Sequence, residues 1–200
     1  MAPKSARTPL PPLATMVDLL AVPEELRRHE VLDGELVEKE ASTFRHGLAQ
    51  MELGSALRPY TARAGGPGGL GWWLASEVTV KLSAHQIVRP DVAGWRRERM
   101  PLVPRVFPVE LRPDWICEVC SDGDARRRDG LIKRRVYADY GVPHYWLLDL
   151  EAERLSVLRL VEGVYREVLE AGRDELLRAE PFDGLEIDLD LLLGDAAPPA

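Results

Sequence analysis

Pro113-Asp114-Trp115-Ile116-Cys117-Glu118-Val119-Cys120-Ser121 and, after an intervening segment, Pro143-His144-Tyr145-Trp146-Leu147-Leu148-Asp149-Leu150 decide the fold of this chain. Each is a short apolar run of the length and composition of a buried strand. Between them, Ser121 to Asp124 resembles a helix start, and the helix is expected to run to about Tyr140 and stop at Gly141-Val142-Pro143. Strand, helix, strand over 114–150 implies a parallel crossover. Glu118 is the anomaly in the first run. A buried acid is costly unless a metal ion, a cation or a shifted pKa offsets its charge.

Outward from this unit, residues 15–28 read as a short helix capped by Thr15 or Asp18. Glu30 to Lys39 reads as a hairpin about Asp33-Gly34. Ser42 or Thr43 caps a helix expected to reach about Ala64, with Leu48, Met51, Leu53, Ala56 and Leu57 as its buried stripe. Strands are expected at Trp72–Ala75, Glu77–Leu82 and Ile87–Trp95, the last carrying Pro90-Asp91, and then at His144–Leu150, Leu155–Leu160 and Val164–Leu169. Arg96 to Arg112 is a long loop, and Leu185 to Leu193 turns its leucines toward the sheet. The fold class is α/β (α+β): a mixed central β-sheet flanked by helices, with N-terminal and C-terminal hairpins. The expected organisation is a disordered lead-in over 1–14, one domain over 15–193 and a flexible tail over 194–200.

Composition excludes several classes. No apolar run approaches the roughly 20 residues that span a bilayer, and Met1 to Pro12 lacks the apolar core of a secretory signal, so a soluble cytoplasmic protein without membrane association is expected. The glycine-rich Gly65–Gly71 has no Gly-Lys-Ser/Thr ending, which argues against a phosphate loop. Cys117 and Cys120 are spaced as C-x-x-C, but three residues of extended chain span about 10 Å, beyond the ~7 Å reach of a disulfide. They read as small core residues on opposite faces of a strand. The five tryptophans read as packing and His85 and His144 as structural or exposed.

The net charge of −7 argues against a generic nucleic-acid binder, yet residues 89–135 hold 12 Lys and Arg against 8 Asp and Glu. That segment contains the three candidate catalytic residues Asp91, Glu118 and Lys133. If Asp91 ends a neighbouring strand, the two carboxylates converge on one hard cation, which prefers oxygen ligands. Such an ion activates water and stabilises phosphoryl charge, and a nearby lysine neutralises what develops. Asp129, Lys133 and Tyr137 fall at i, i+4 and i+8 on one helical stripe. Asp129 and Lys133 read equally as a solvated ion pair. Arg126, Arg127, Arg128 and Arg134 surround the stripe, either to grip phosphates or to solvate the helix.

The sequence around these residues resembles a known family. Arg89-Pro90-Asp91-Val92, the Pro113–Ser121 run, Asp129-Gly130-Leu131-Ile132-Lys133, and Tyr137-Ala138-Asp139-Tyr140-Gly141-Val142-Pro143-His144-Tyr145-Trp146 are together similar to the Uma-two family of the PD-(D/E)XK nuclease superfamily. Glu30-Val31-Leu32-Asp33-Gly34-Glu35-Leu36-Val37 and His46 extend the likeness over roughly residues 15–193. The resemblance implies a restriction-endonuclease-like fold and a magnesium- or manganese-dependent endonuclease acting on DNA. It also implies Asp91, Glu118 and the backbone carbonyl of Val119 as metal ligands. The wider superfamily places a lysine where Cys120 stands, and Lys133 resembles its migrated substitute. Asp129 and Tyr137 are expected to position Lys133, with Glu30, Glu35 and His46 in support. Ser121-Asp122-Gly123-Asp124 departs from the family's Ser-Pro-Ser/Thr. A non-catalytic nucleic-acid- or protein-binding module is the alternative, a structural dimerisation protein is a third reading, and a homodimer is the favoured assembly.

Overall fold

The computed structural model describes residues 12–61, 71–121, 123 and 128–194. Thr15 caps α1 (Met16–Ala21) and Asp18 accepts from the Thr15 N–H at 2.7 Å, closing a capping box. The helix ends at Ala21, well short of residue 28, because Pro23 pushes Val22 into extended backbone. Strands β1 (His29–Leu32) and β2 (Glu35–Glu38) form the expected hairpin. Its Asp33 and Gly34 both have positive φ, 52° and 78°, as the favoured two-residue turn requires.

Helix α2 (Phe44–Ala56) starts on Thr43, whose hydroxyl accepts from His46 N–H at 3.2 Å, and ends before the 3-10 turn Arg58–Thr61 rather than at residue 64. Pro59 lacks the N–H that another turn of helix would use. The buried side carries His46, Ala49, Leu53 and Leu57. Met51, expected inside, is 74% exposed. Of the glycine-rich Gly65–Gly71 only Gly71 is among the described residues; 62–70 lie outside them, as do 1–11 and 195–200.

Strands β3 (Trp72–Ser76), β4 (Val80–Ser83), β5 (Gln86–Val88) and β6 (Val92–Arg96) follow. The expected single strand over Ile87–Trp95 is two, in different sheets. Val88 pairs in a four-stranded sheet of order β2-β1-β5-β4, and Val92 pairs in a larger one. Pro90 cannot donate to a ladder, so the chain changes sheet there. Next come β7 (Trp115–Cys120), a π-helical turn over Arg128–Lys133, α3 (Arg134–Asp139), β8 (His144–Asp149), β9 (Arg154–Val161) and β10 (Val164–Ala171). The six-stranded sheet has the order β10-β9-β8-β7-β6-β3. Within it β7 and β8 are parallel, with Trp115 opposite His144, and the other pairs are antiparallel. A short pair, β11 (Leu176–Leu177) with β12 (Ile187–Asp188), leads into α4 (Leu189–Leu193).

The large sheet is packed on both faces. One face buries Trp115, Cys117, Val119 and Trp146 under α2 and the α4 leucines, with Phe182 edge-on to Trp115 at 5.0 Å. The other buries Ile116 and Tyr145 with Val136 and Tyr137 of α3 and with Leu32, Val80 and Val88 of the small sheet. Alternation along β7 therefore turns Glu118 and Cys120 toward α3, away from the more apolar face. Cys117 and Cys120 are free and buried. Among the described residues no helix is long and apolar enough to cross a membrane.

Candidate active site

The change of sheet at Pro90 places Asp91. Val92 pairs with Cys117, so one antiparallel step further the register sets Asp91 beside Glu118. The Asp91 N–H faces Glu118 Oε2 at 3.4 Å, and Val119 N–H donates to Asp91 Oδ2 at 2.7 Å. Both acids are buried. With Lys39, His46, Val119, Ser121, Arg128 and Asp129 they line a cavity of about 20 Å³, room for one water-sized group.

Behind Glu118 lies Lys133, the last residue of the π-helical turn. Its side chain is 0% exposed, and Nζ stands 3.0 Å from Glu118 Oε1, 3.0 Å from Glu30 Oε2 and 3.5 Å from Asp129 Oδ1. The reading of Asp129 and Lys133 as a solvated pair is therefore corrected. Helical spacing was right, but the strands facing that stripe carry Glu30 and Glu118. Glu30 is itself held by the Arg89 N–H at 2.6 Å. Tyr137 donates to Glu118 Oε1 at 2.5 Å rather than to Lys133. Burial opposes the Lys133 charge, but Glu118, Glu30 and Asp129 outweigh it and hold the ammonium well above the usual lysine range. Burial pushes the Glu118 carboxyl up against the pull of Lys133, and Asp91 and Asp129 add to the rise.

Asp91 has a second set of neighbours. Lys39 Nζ lies 3.0 Å from Asp91 Oδ1, and His46 Nε2 lies 3.3 Å from the same oxygen. Glu77, which has a positive φ of 54° after β3, brings Oε2 to 3.3 Å from Lys39 and accepts from Gln50 Nε2 at 3.1 Å. Burial works against the Asp91 charge, yet Lys39 and His46 hold this carboxyl below the usual range. Lys39 is held above its own, because Asp91 and neighbouring acids outweigh its burial.

Lys39 and Glu77 are not among the site residues expected from the sequence, since Lys39 reaches Glu77 and Asp91 across 38 and 52 residues. Glu35 is exposed on β2, the edge strand of the small sheet, apart from the cluster. Arg128 borders the cavity, with Nε 3.4 Å from Asp129 Oδ1. Arg134 points elsewhere and donates to the Tyr165 carbonyl at 3.0 Å. Arg126 and Arg127 lie outside the described residues.

The donors suit a divalent cation. Ligand atoms of His46, Glu77 and Asp91 all lie within 4.8 Å of one another, and the buried His46 Nε2 has no hydrogen-bond partner among the described residues. Two carboxylates and one imidazole offer the oxygen and nitrogen donors that divalent cations take up. This set differs from the expected Asp91, Glu118 and Val119 carbonyl, and Asp91 is common to both.

Comparison with known proteins agrees with the architecture. A crystal structure of "a putative nuclease belonging to DUF820" from Anabaena variabilis superposes with a TM-score of 0.63 at 18% identity, covering 90% of this chain and 97% of that one. That likeness establishes a shared fold. A chain of the DrdV–DNA complex gives a TM-score of only 0.33 at 18% identity, over 76% of this chain and 14% of that one. No curated protein matches. The family profile of Uma2, described as "Putative restriction endonuclease", matches residues 16–190, and the chain belongs to that family.

Proposed function

We propose that this chain is a metal-dependent endonuclease that hydrolyses phosphodiester bonds in DNA. The observation that carries this reading is the meeting of Asp91 and Glu118, from adjoining strands, in one cavity with a lysine buried behind them. Asp91 would hold Mg2+ or Mn2+ with Glu118 and the Val119 carbonyl, or with His46 and Glu77. When bound, the ion supplies an acidified water and charge neutralisation at the phosphoryl group.

The protein's own groups divide the remaining tasks. The Val119 amide fixes the rotation of the Asp91 carboxylate, leaving Oδ1 to face His46 and Lys39. Lys133 and Tyr137 both grip Glu118 Oε1, which leaves Oε2 turned toward Asp91. Lys133 does not line the cavity, so it acts through Glu118 as a positioning residue. Arg128 stands at the cavity wall, where a cation can meet a phosphate oxygen. Cationic contacts to phosphates make binding to a polyanion salt-sensitive, and the acid-rich body keeps it weak.

The test is cleavage of labelled duplex and single-stranded oligonucleotides with Mg2+ or Mn2+. The wild type is compared with Asp91→Ala, Glu118→Ala and Lys133→Ala, with folding of each checked by circular dichroism. Metal-dependent cleavage by the wild type, lost in the first two and reduced at least about a hundredfold in the third, supports the assignment. Cleavage that persists in Asp91→Ala and Glu118→Ala contradicts it. DNA binding without cleavage by any folded form would favour a binding module that retains the nuclease fold.

A further inference from the structure

Lys39 occupies the place that an arriving cation would need. Its Nζ is surrounded by Asp91 Oδ1 at 3.0 Å, the Arg89 carbonyl at 2.7 Å, and the two Glu77 oxygens at 3.4 and 3.3 Å. Asp91 and Glu77 are also two of the three side chains whose ligand atoms cluster within 4.8 Å. The third, His46, is buried and directs an Nε2 without a hydrogen-bond partner among the described residues toward the same Asp91 oxygen. An ammonium and a divalent ion repel at this separation, and they would share the same oxygens.

We propose that Lys39 is a tethered counter-ion that keeps the metal site closed until an anionic nucleic-acid backbone draws its ammonium away. The inference rests on the metal-dependent reading given above. Lys39 lies just past the end of β2 on a flexible four-carbon stem, and it borders two spaces at once. One is the 20 Å³ cavity that contains Asp91 and Glu118. The other is a more open groove of about 190 Å³, also lined by Arg28, Glu40, Ser42, Gln50, Glu77 and Arg89. A phosphate in that groove would meet Arg28 and Arg89 and would attract the Lys39 ammonium outward. Metal and DNA would then each strengthen the binding of the other, because coupling between two ligands is reciprocal.

Calorimetric titration with Mn2+ tests this without reference to cleavage. Lys39→Met keeps the length of the side chain and removes its charge, and should bind Mn2+ tighter than wild type by about tenfold or more. Lys39→Arg keeps the charge and should stay as weak as wild type. Asp91→Asn should abolish binding alone and combined with Lys39→Met. In the wild type, a duplex with non-hydrolysable linkages should tighten Mn2+ binding by a similar factor, a measurement that does not depend on how any variant folds. Equal Mn2+ affinity in wild type and Lys39→Met, or no effect of the duplex, overturns the counter-ion role and leaves the metal site standing. No Mn2+ binding by wild type, with or without duplex, or by Lys39→Met overturns both.

Discussion

Lys133 meets Glu30, Glu118 and Asp129 without exposed surface, so its ammonium is the counter-charge on which that cluster depends. Removing one partner of a buried ionic group leaves uncompensated charge, typically at a cost of about 3–5 kcal/mol. Lys133→Met should lower unfolding free energy by that amount in urea titration, and adding Glu118→Gln should restore part of it. A single variant as stable as wild type would show that the cluster carries little net charge. His144 gives a separate residue-scale prediction. Burial, followed by repulsion from Arg96 and Arg159, lowers its pKa to about 4. The unfolded chain takes up this proton near pH 6.5 while the folded chain resists it. The contribution to stability is therefore complete above about pH 6.5 and is lost as pH falls toward 4. Allowing for screening by solvent, this is on the order of 1 kcal/mol. His144→Gln should flatten that part of the stability–pH curve, and an unchanged slope would contradict the assignment. Asp91 and Glu118 were legible in the sequence because acids in extended apolar runs demand a counter-charge. Lys39 and Glu77 were not, because each reads locally as an ordinary polar residue, one closing a hairpin and the other opening an expected strand.

At the scale of elements, the site depends on where β5 stops and β6 begins. Apolar residues stand on both sides of Arg89-Pro90-Asp91, Ile87 and Val88 before it and Val92 to Trp95 after it, so the sequence reads as one strand. The missing N–H of Pro90 separates them and puts Asp91 at the junction of the two sheets. The π-helical turn over Arg128–Lys133 is similar: residue spacing predicted a regular helix, and the irregular turn lies where Asp129 and Lys133 face the acids. Met51 was misjudged because α2 turns a narrow stripe of His46, Ala49, Leu53 and Leu57 inward. Strand β6 offers a direct test of packing around the site. A Cβ added at Gly94 would lie 3.1 Å from Trp115 Cε3 and 3.2 Å from Trp72 Cε3, both on buried rings, and 2.9 Å from Leu74 Cδ2. Gly94→Ala should therefore destabilise by about 1–3 kcal/mol, read as a lower urea midpoint at unchanged slope. A midpoint equal to wild type would mean that β3 and β7 have room to separate.

For the whole molecule, the mixed sheet with one parallel crossover was readable from strand, helix, strand over 114–150, because only a crossover connects two buried parallel strands. Which face carried chemistry was readable only in part, since two sheets and the turn before α3 contribute to one cluster. A body of net charge −7 with Arg28, Lys39, Arg89 and Arg128 lining the spaces at the site should bind duplex DNA weakly and with steep salt dependence. Affinity measured between 50 and 200 mM salt should fall at least about tenfold, and a flat response would remove phosphate contacts from the account. In the function proposed above, Asp91 and Glu118 form the metal-dependent centre of a nuclease. The most direct measurement is nicking of supercoiled plasmid at low salt by wild type, Asp91→Asn and Glu118→Gln, each with Mn2+, with Mg2+ and with excess chelator. Wild type should nick with metal and not with chelator, and neither near-isosteric variant should nick at all. Nicking that survives the chelator, or that both folded variants retain, would contradict that function.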